Sequence, residues 1–236
     1  ALAQSGQEHI HDNPTGQAVG ESTTAAITAG SDDAEEQTNG SVHFSSRDLD
    51  LGDDDDYTVG LRFSDLDVPA GATIVNAYVR FVAKASDDKV TTLDFAGEAA
   101  DSAATFTRTR FNVSGRTQTG ATVTWASVPE WSKNERYWTP NLNTIVQEIV
   151  SRPGWAAGNA LALIVTGTGE REAWSFNGSA DAAPILYVEY STTGAAAASA
   201  TSGIAPGTSV VSSSILNREA DLTSIAEPNT VDEDEL

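Results

Sequence analysis

The 236-residue chain has no cysteine and no methionine, and it carries only three lysines (Lys84, Lys89, Lys133) and three histidines. Without thiols there are no disulfides and no cysteine nucleophile. His43 is the single histidine beyond the N-terminal stretch, so nucleophile-and-base catalysis has little to draw on. No apolar run approaches the roughly 18 residues that span a bilayer as a helix, so membrane insertion is not expected. Thirty-four acids against 13 bases give a net charge of -21, which repels phosphate backbones and anionic lipid and argues against nucleic acid as a partner. What remains is 39% hydrophobic residues, enough for the core of one domain with tails. An acidic surface poor in lysine suits salty or calcium-bearing water, where counterions screen self-repulsion. Ala1, Leu2 and Ala3 resemble the small-residue end of a cleaved export signal, so the expected location is extracellular or at the cell surface.

Three regions follow from composition: an N-terminal arm over 1–22, a β domain over 23–190, and an Ala/Ser/Thr-rich C-terminal arm over 191–236 that ends in "VDEDEL". Within the domain, "TTAAITA", "SVHFS", "YTVGLRF", "ATIVNAYVRFVAKA", "VTTLDFAGE", "ATVTW", "ALALIVTG", "REAWSF" and "PILYVEY" are rich in β-branched and aromatic residues and separated by turn formers. Ala77, Val79, Phe81 and Ala83 alternate with Tyr78, Arg80, Val82 and Lys84, the period-two pattern of a strand with one face in a core. The pattern predicts an all-β, jelly-roll-like sandwich of two antiparallel sheets. One helix is expected over about 139–151, with Thr139 as cap, Pro140 in the first turn, and Leu142, Ile145, Val146, Ile149 and Val150 on one face; Pro153 and Gly154 end it.

Several stretches together carry a resemblance: "SDDAEE" at 31–36, "VGLRF" at 59–63, "VPAGATIVNAYVRF" at 68–81, "TPNLNTIVQEIVSRPGW" at 139–155, "GNALALIVTGTGER" at 158–171 and "APILYVEY" at 183–190. Over about residues 25–190 the chain resembles a β-sandwich module of large secreted bacterial proteins, in the style of the DNRLRE and carbohydrate-binding-module jelly rolls. The resemblance implies a fold and an adhesive, spacer or sugar-binding role, but a fold does not fix a function.

Four sets of residues carry candidate chemistry. Asp32, Asp33, Glu35 and Glu36, with Asp48, Asp50, Asp53 and Asp54 across a hairpin, offer the clustered carboxylates that calcium prefers, although no EF-hand spacing is present. Trp131, Tyr137 and Trp138 in the polar stretch "PEWSKNERYW" are the candidate glycan platform, whereas Trp125 and Trp155 are expected in the core. Asn39, Asn112 and Asn177 begin Asn-x-Ser sequons, the candidate glycosylation sites. Glu170 and Glu172 flank Arg171 and are read as surface charge, so no catalytic residue and no enzyme are expected. The close pair His9 and His11 is too small to make a metal site.

The C-terminal arm poses the remaining question. Ordering each of its residues costs about 1–2 kcal/mol of backbone entropy. Val210, Val211, Ile215 and Leu216 in "TSVVSSSIL", and Leu222 and Ile225 in "ADLTSIA", offset this only by joining a sheet. The arm either folds back on its own sandwich or adds a strand to another copy, and "GQAVGESTTAAITAG" in the N-terminal region is a rival donor. The leading expectation is a non-enzymatic subunit that polymerises with copies of itself into a filament or surface layer. The alternative is a carbohydrate-binding or adhesive module with a polysaccharide partner.

Overall fold

The computed structural model describes residues 20–52 and 57–192. The candidate residues His9, His11, Asp53 and Asp54, and Val210, Val211, Ile215, Leu216, Leu222 and Ile225, lie outside the described residues. Those described form an antiparallel β-sandwich: β1 Gly20–Ala26, β2 Asp33–Glu36, β3 Val42–His43, β4 Asp48–Leu51, β5 Thr58–Phe63, β6 Thr73–Val82, β7 Thr92–Glu98, β8 Gln118–Trp125, β9 Arg136–Trp138, helix α1 Asn143–Val150, β10 Leu161–Thr168, β11 Arg171–Trp174 and β12 Ile185–Ser191. One sheet runs β1-β12-β6-β9 and the other β3-β2-β5-β10-β7-β8, while β11 and β4 form a separate two-stranded ladder.

The alternation in β6 does what its period predicts: Ala77, Val79, Phe81 and Ala83 are buried and face Leu186 and Val188 of the same sheet and Leu61, Phe63, Leu163, Val165 and Phe95 of the other. Strand β10 is buried on both faces. Leu161, Leu163 and Val165 point into this main core, and Ala160, Ala162 and Ile164 point into a second one with Ala34, Val42, Ala103, Phe106 and Val113. The second core exists because the chain over 99–117 lies across the outer face of the six-stranded sheet. Gly60 of β5 makes room for it, since a Cβ there would meet the Phe106 ring at 2.5 Å.

The helix fills the open side of the sandwich, burying Ile145, Val146, Ile149 and Val150. It is shorter than the sequence suggests. Thr139 does not cap it: the Thr139 hydroxyl accepts a hydrogen bond from the Val79 N–H at 3.0 Å, and Asn141 Oδ1 accepts from the Ala77 N–H at 2.9 Å. Residues 139–142 therefore continue the edge of β6, and helical turns begin only at Asn143. At the N-terminal end β1 starts at Gly20, so Gly20–Ser22 belong to the sandwich and not to the arm.

Candidate assembly edge

A sheet edge is a row of unpaired backbone donors and acceptors, and folded proteins normally blunt it. The two main sheets have four such edges, β1 and β9 on one, β3 and β8 on the other. Strand β3 is two residues long, and β9 is three residues with the exposed charge of Arg136. Strand β8 is eight residues long, but Glu148 of α1 reaches over it. Its two carboxylate oxygens accept from the Gly120 N–H at 2.9 Å and the Ala121 N–H at 2.8 Å, so part of the edge is already occupied.

Strand β1 is neither short nor, among the described residues, capped. It is seven residues long, Gly-Glu-Ser-Thr-Thr-Ala-Ala, with one charge and no proline, and among the described residues its one strand neighbour is β12. The register fixes which groups face outward. Ala26 lies opposite Ile185 and Ala25 opposite Leu186, and the Ile27 N–H donates to the Pro184 carbonyl at 3.2 Å. Hydrogen-bonded and non-bonded pairs alternate along an antiparallel ladder, so Ala25, Thr23 and Glu21 also turn their backbone groups to β12. Gly20, Ser22, Thr24 and Ala26 turn theirs away, four N–H donors and four carbonyls in a line. A Cβ placed on Gly20 would meet nothing within 4 Å. Pro184 ends the ladder, because it has no N–H to return to Ile27. Gly20 pairs with Ser191, so the chain enters β1 and leaves β12 at one corner of the sandwich.

The acidic residues read as calcium ligands sit elsewhere and are not hydrated loop acids. Asp33, Glu35 and Glu36 form β2, and all three are buried, as is Asp32 beside them. Each carboxylate holds protein donors. Asp32 takes Arg62 Nη1 at 2.9 Å and the Thr105 hydroxyl at 3.1 Å. Glu36 takes the Val113 N–H at 2.8 Å together with the N–H and hydroxyl of Ser114, pinning the 99–117 segment over the second core. On the opposite face of β2, Glu35 takes the Asp50 N–H at 2.8 Å and Asp33 takes the Phe176 N–H at 2.5 Å, which docks β4 and the chain after β11. Asp33 Oδ1, on a side chain within a residue only 3% exposed, has no partner. Burial pushes the Asp33 carboxyl up to about 7, with Asp32 adding to it; burial also pushes Glu35 up to about 7, with Asp50 and Asp48 adding to it. Asp48 pairs with Lys84. Among the described residues no three His, Asp or Glu side chains are grouped to hold a metal ion.

The aromatic platform is also corrected. Trp131 is 2% exposed, stacked on Tyr137 with ring centroids 4.9 Å apart and backed by Phe81 at 6.0 Å, so its faces are spent inside the protein. Trp138, on β9, is 39% exposed and stands without the other two as a ring available at the surface. Glu170 pairs with Lys89, and Glu172 lies 3.5 Å from Lys84. Between them Arg171 is buried, a role the sequence reading missed. Its guanidinium donates to the carbonyls of Lys89, Val128, Pro129 and Glu170 and to the Thr91 hydroxyl, tying three loops together. Of the sequon asparagines, Asn39 and Asn177 are exposed, with the Asn177 amide donating to the Phe44 carbonyl; Asn112 is half-buried, accepting from the Thr107 N–H at 2.7 Å.

No protein-family model matches the chain, and no curated protein matches it either. The resemblance to secreted bacterial sandwich modules thus rests on pattern alone.

Proposed function

We propose that this chain is a non-enzymatic structural subunit, exported and built into an extracellular filament or surface layer by strand addition between copies. The observation that carries the reading is β1: a seven-residue edge strand, nearly free of charge, beside three edges that are each shortened, charged or capped. Such an edge is a template for another strand. A net charge of -21 keeps copies apart through most of their surfaces and leaves the weakly charged edge as the place where approach costs least. The candidate acids for catalysis are engaged with lysines, and the glycan platform has lost Trp131 to the core, so the edge is the better-supported feature. Electron microscopy and light scattering of the purified full-length protein, with and without salt and calcium, test the reading. Polymers or discrete oligomers are expected; a chain that stays monomeric up to millimolar concentration in every condition overturns it.

A further inference from the structure

We infer that the acceptor of strand addition is the outward edge of β1, and that its occupant is the segment 208–216, Thr-Ser-Val-Val-Ser-Ser-Ser-Ile-Leu, of a neighbouring copy. This deepens the proposed function and rests on it.

The N-terminal rival is already committed. Gly20–Ala26, the second half of the stretch that competes as donor, is β1 itself, paired with β12 over its whole length. What precedes it includes Glu8, His9, His11, Asp12 and Pro14, a poor ladder partner. The other end of the chain offers 44 residues beyond Thr192. Among these, 208–216 is a nine-residue stretch with four large aliphatic side chains and no charge, glycine or proline. It is bounded by Pro206-Gly207 on one side and Asn217-Arg218 on the other, the punctuation of a strand. Nine residues cover a seven-residue edge.

Charge fits as well. The edge carries one acid, Glu21, and the donor carries none, so in a chain of net charge -21 this pairing brings no like charges together. Reach permits it too, since the 15 residues over 193–207 extend to about 50 Å. The chain leaves β12 at the corner where Gly20 meets Ser191, so each copy presents its acceptor edge and the root of its donor side by side. A donor that enters the next copy's edge, and not its own, makes a head-to-tail contact that repeats.

The absence of cysteine makes the test direct. Single-cysteine full-length variants Thr24→Cys and Ser212→Cys, with Ser214→Cys to allow for a two-residue change of register, are mixed and oxidised. Cross-linked heterodimers between separate copies are expected. Cross-linking confined to one chain, in a variant carrying both cysteines at high dilution, places the segment on its own sandwich and overturns the inference; so does no cross-linking in an assembling mixture. In parallel, Thr24→Pro removes one outward N–H and leaves the bonds to β12, whereas Thr24→Ala keeps every backbone group. Assembly is expected to fall at least tenfold in the proline variant and to be unchanged in the alanine variant. Equal assembly in both overturns the choice of β1. If Thr24→Pro does not fold, the cross-linking decides. An unmodified chain that never assembles overturns the proposed function itself, which is a different result from an assembling chain indifferent to β1.

Discussion

Strands β1 and β2 follow each other in the chain and treat charge in opposite ways. Strand β2 has three acids in four residues and is buried throughout; β1 has one acid in seven and is exposed along most of its length. In β2 each carboxylate is an acceptor for backbone N–H groups of a segment outside the six-stranded sheet, so the acids latch the 99–117 segment, β4 and the chain at Phe176 onto the sheet. In β1 the single acid, Glu21, accepts from the hydroxyls of Tyr190 at 3.3 Å and Thr192 at 2.9 Å, side chains of the neighbouring β12 and its exit and not the backbone of a distant segment. The acids of β2 therefore mark internal attachment points, and the proposed assembly places the partner where such charge is scarce.

Removing a latch is the strongest way to break the comparison. Glu36→Ala leaves the buried Val113 N–H and the Ser114 groups without an acceptor, and each orphaned group costs about 1–3 kcal/mol. A loss of roughly 3–5 kcal/mol in urea unfolding is expected, with Glu36→Gln keeping a good part of it. At β1, Thr24→Ala should change stability by less than about 0.5 kcal/mol. Similar effects at the two strands would mean that the acids do no latching.

The second test uses pH. Asp33 and Glu35 have folded values near 7 against 3.8 and 4.5 for the free groups, so between about pH 4 and 7 the folded state holds more protons than the unfolded one. Their stabilising effect is complete below about pH 4 and is lost as pH rises through 7. Going from pH 5 to pH 8 should cost roughly 2–3 kcal/mol for each group. Asp33→Asn, which replaces the partnerless oxygen with an uncharged group of the same shape, should be more stable than the parent at pH 8 by about 2 kcal/mol and close to it at pH 5. A parent whose stability is flat from pH 5 to pH 8 would show that water or another group reaches Asp33.

These two strands also show what the sequence could disclose. The strands with period-two or continuous apolar runs, β6 and β10 above all, were legible because burial on a sheet face writes itself into every second residue. Strands β2 and β4 were not, since Asp and Glu have low strand propensity, and the three residues of β9 are too few to show a period; partners far along the chain place them: Val113 for Glu36, Phe176 for Asp33, Phe81 for Tyr137. Trp131 looked like a loop residue because its polar neighbours surround it in sequence, whereas Phe81 and Tyr137 surround it in space. Which edge stays open was beyond reach, since it depends on Glu148 of a helix reaching β8 and on Pro184 setting the register of β1.

A small predicted effect on stability bears most directly on why β1 differs from the other edges. If Glu148 blunts β8 by occupying the Gly120 and Ala121 N–H groups, then Glu148→Ala creates a second open edge, eight residues long and without a charged side chain. Both N–H groups lie at the surface, where water replaces the lost acceptor, so the melting temperature should drop by only a few degrees, equivalent to about 1 kcal/mol or less. Association should change far more: light scattering should report new, branched or irregular aggregates, because copies would then join through two edges with different neighbours. Glu148→Gln retains one acceptor and should fall between the two. Were Glu148→Ala to associate as the parent does, capping would not be what separates a closed edge from an open one, and neither length nor charge would then favour β1, since β8 is the longer strand and carries no charged side chain.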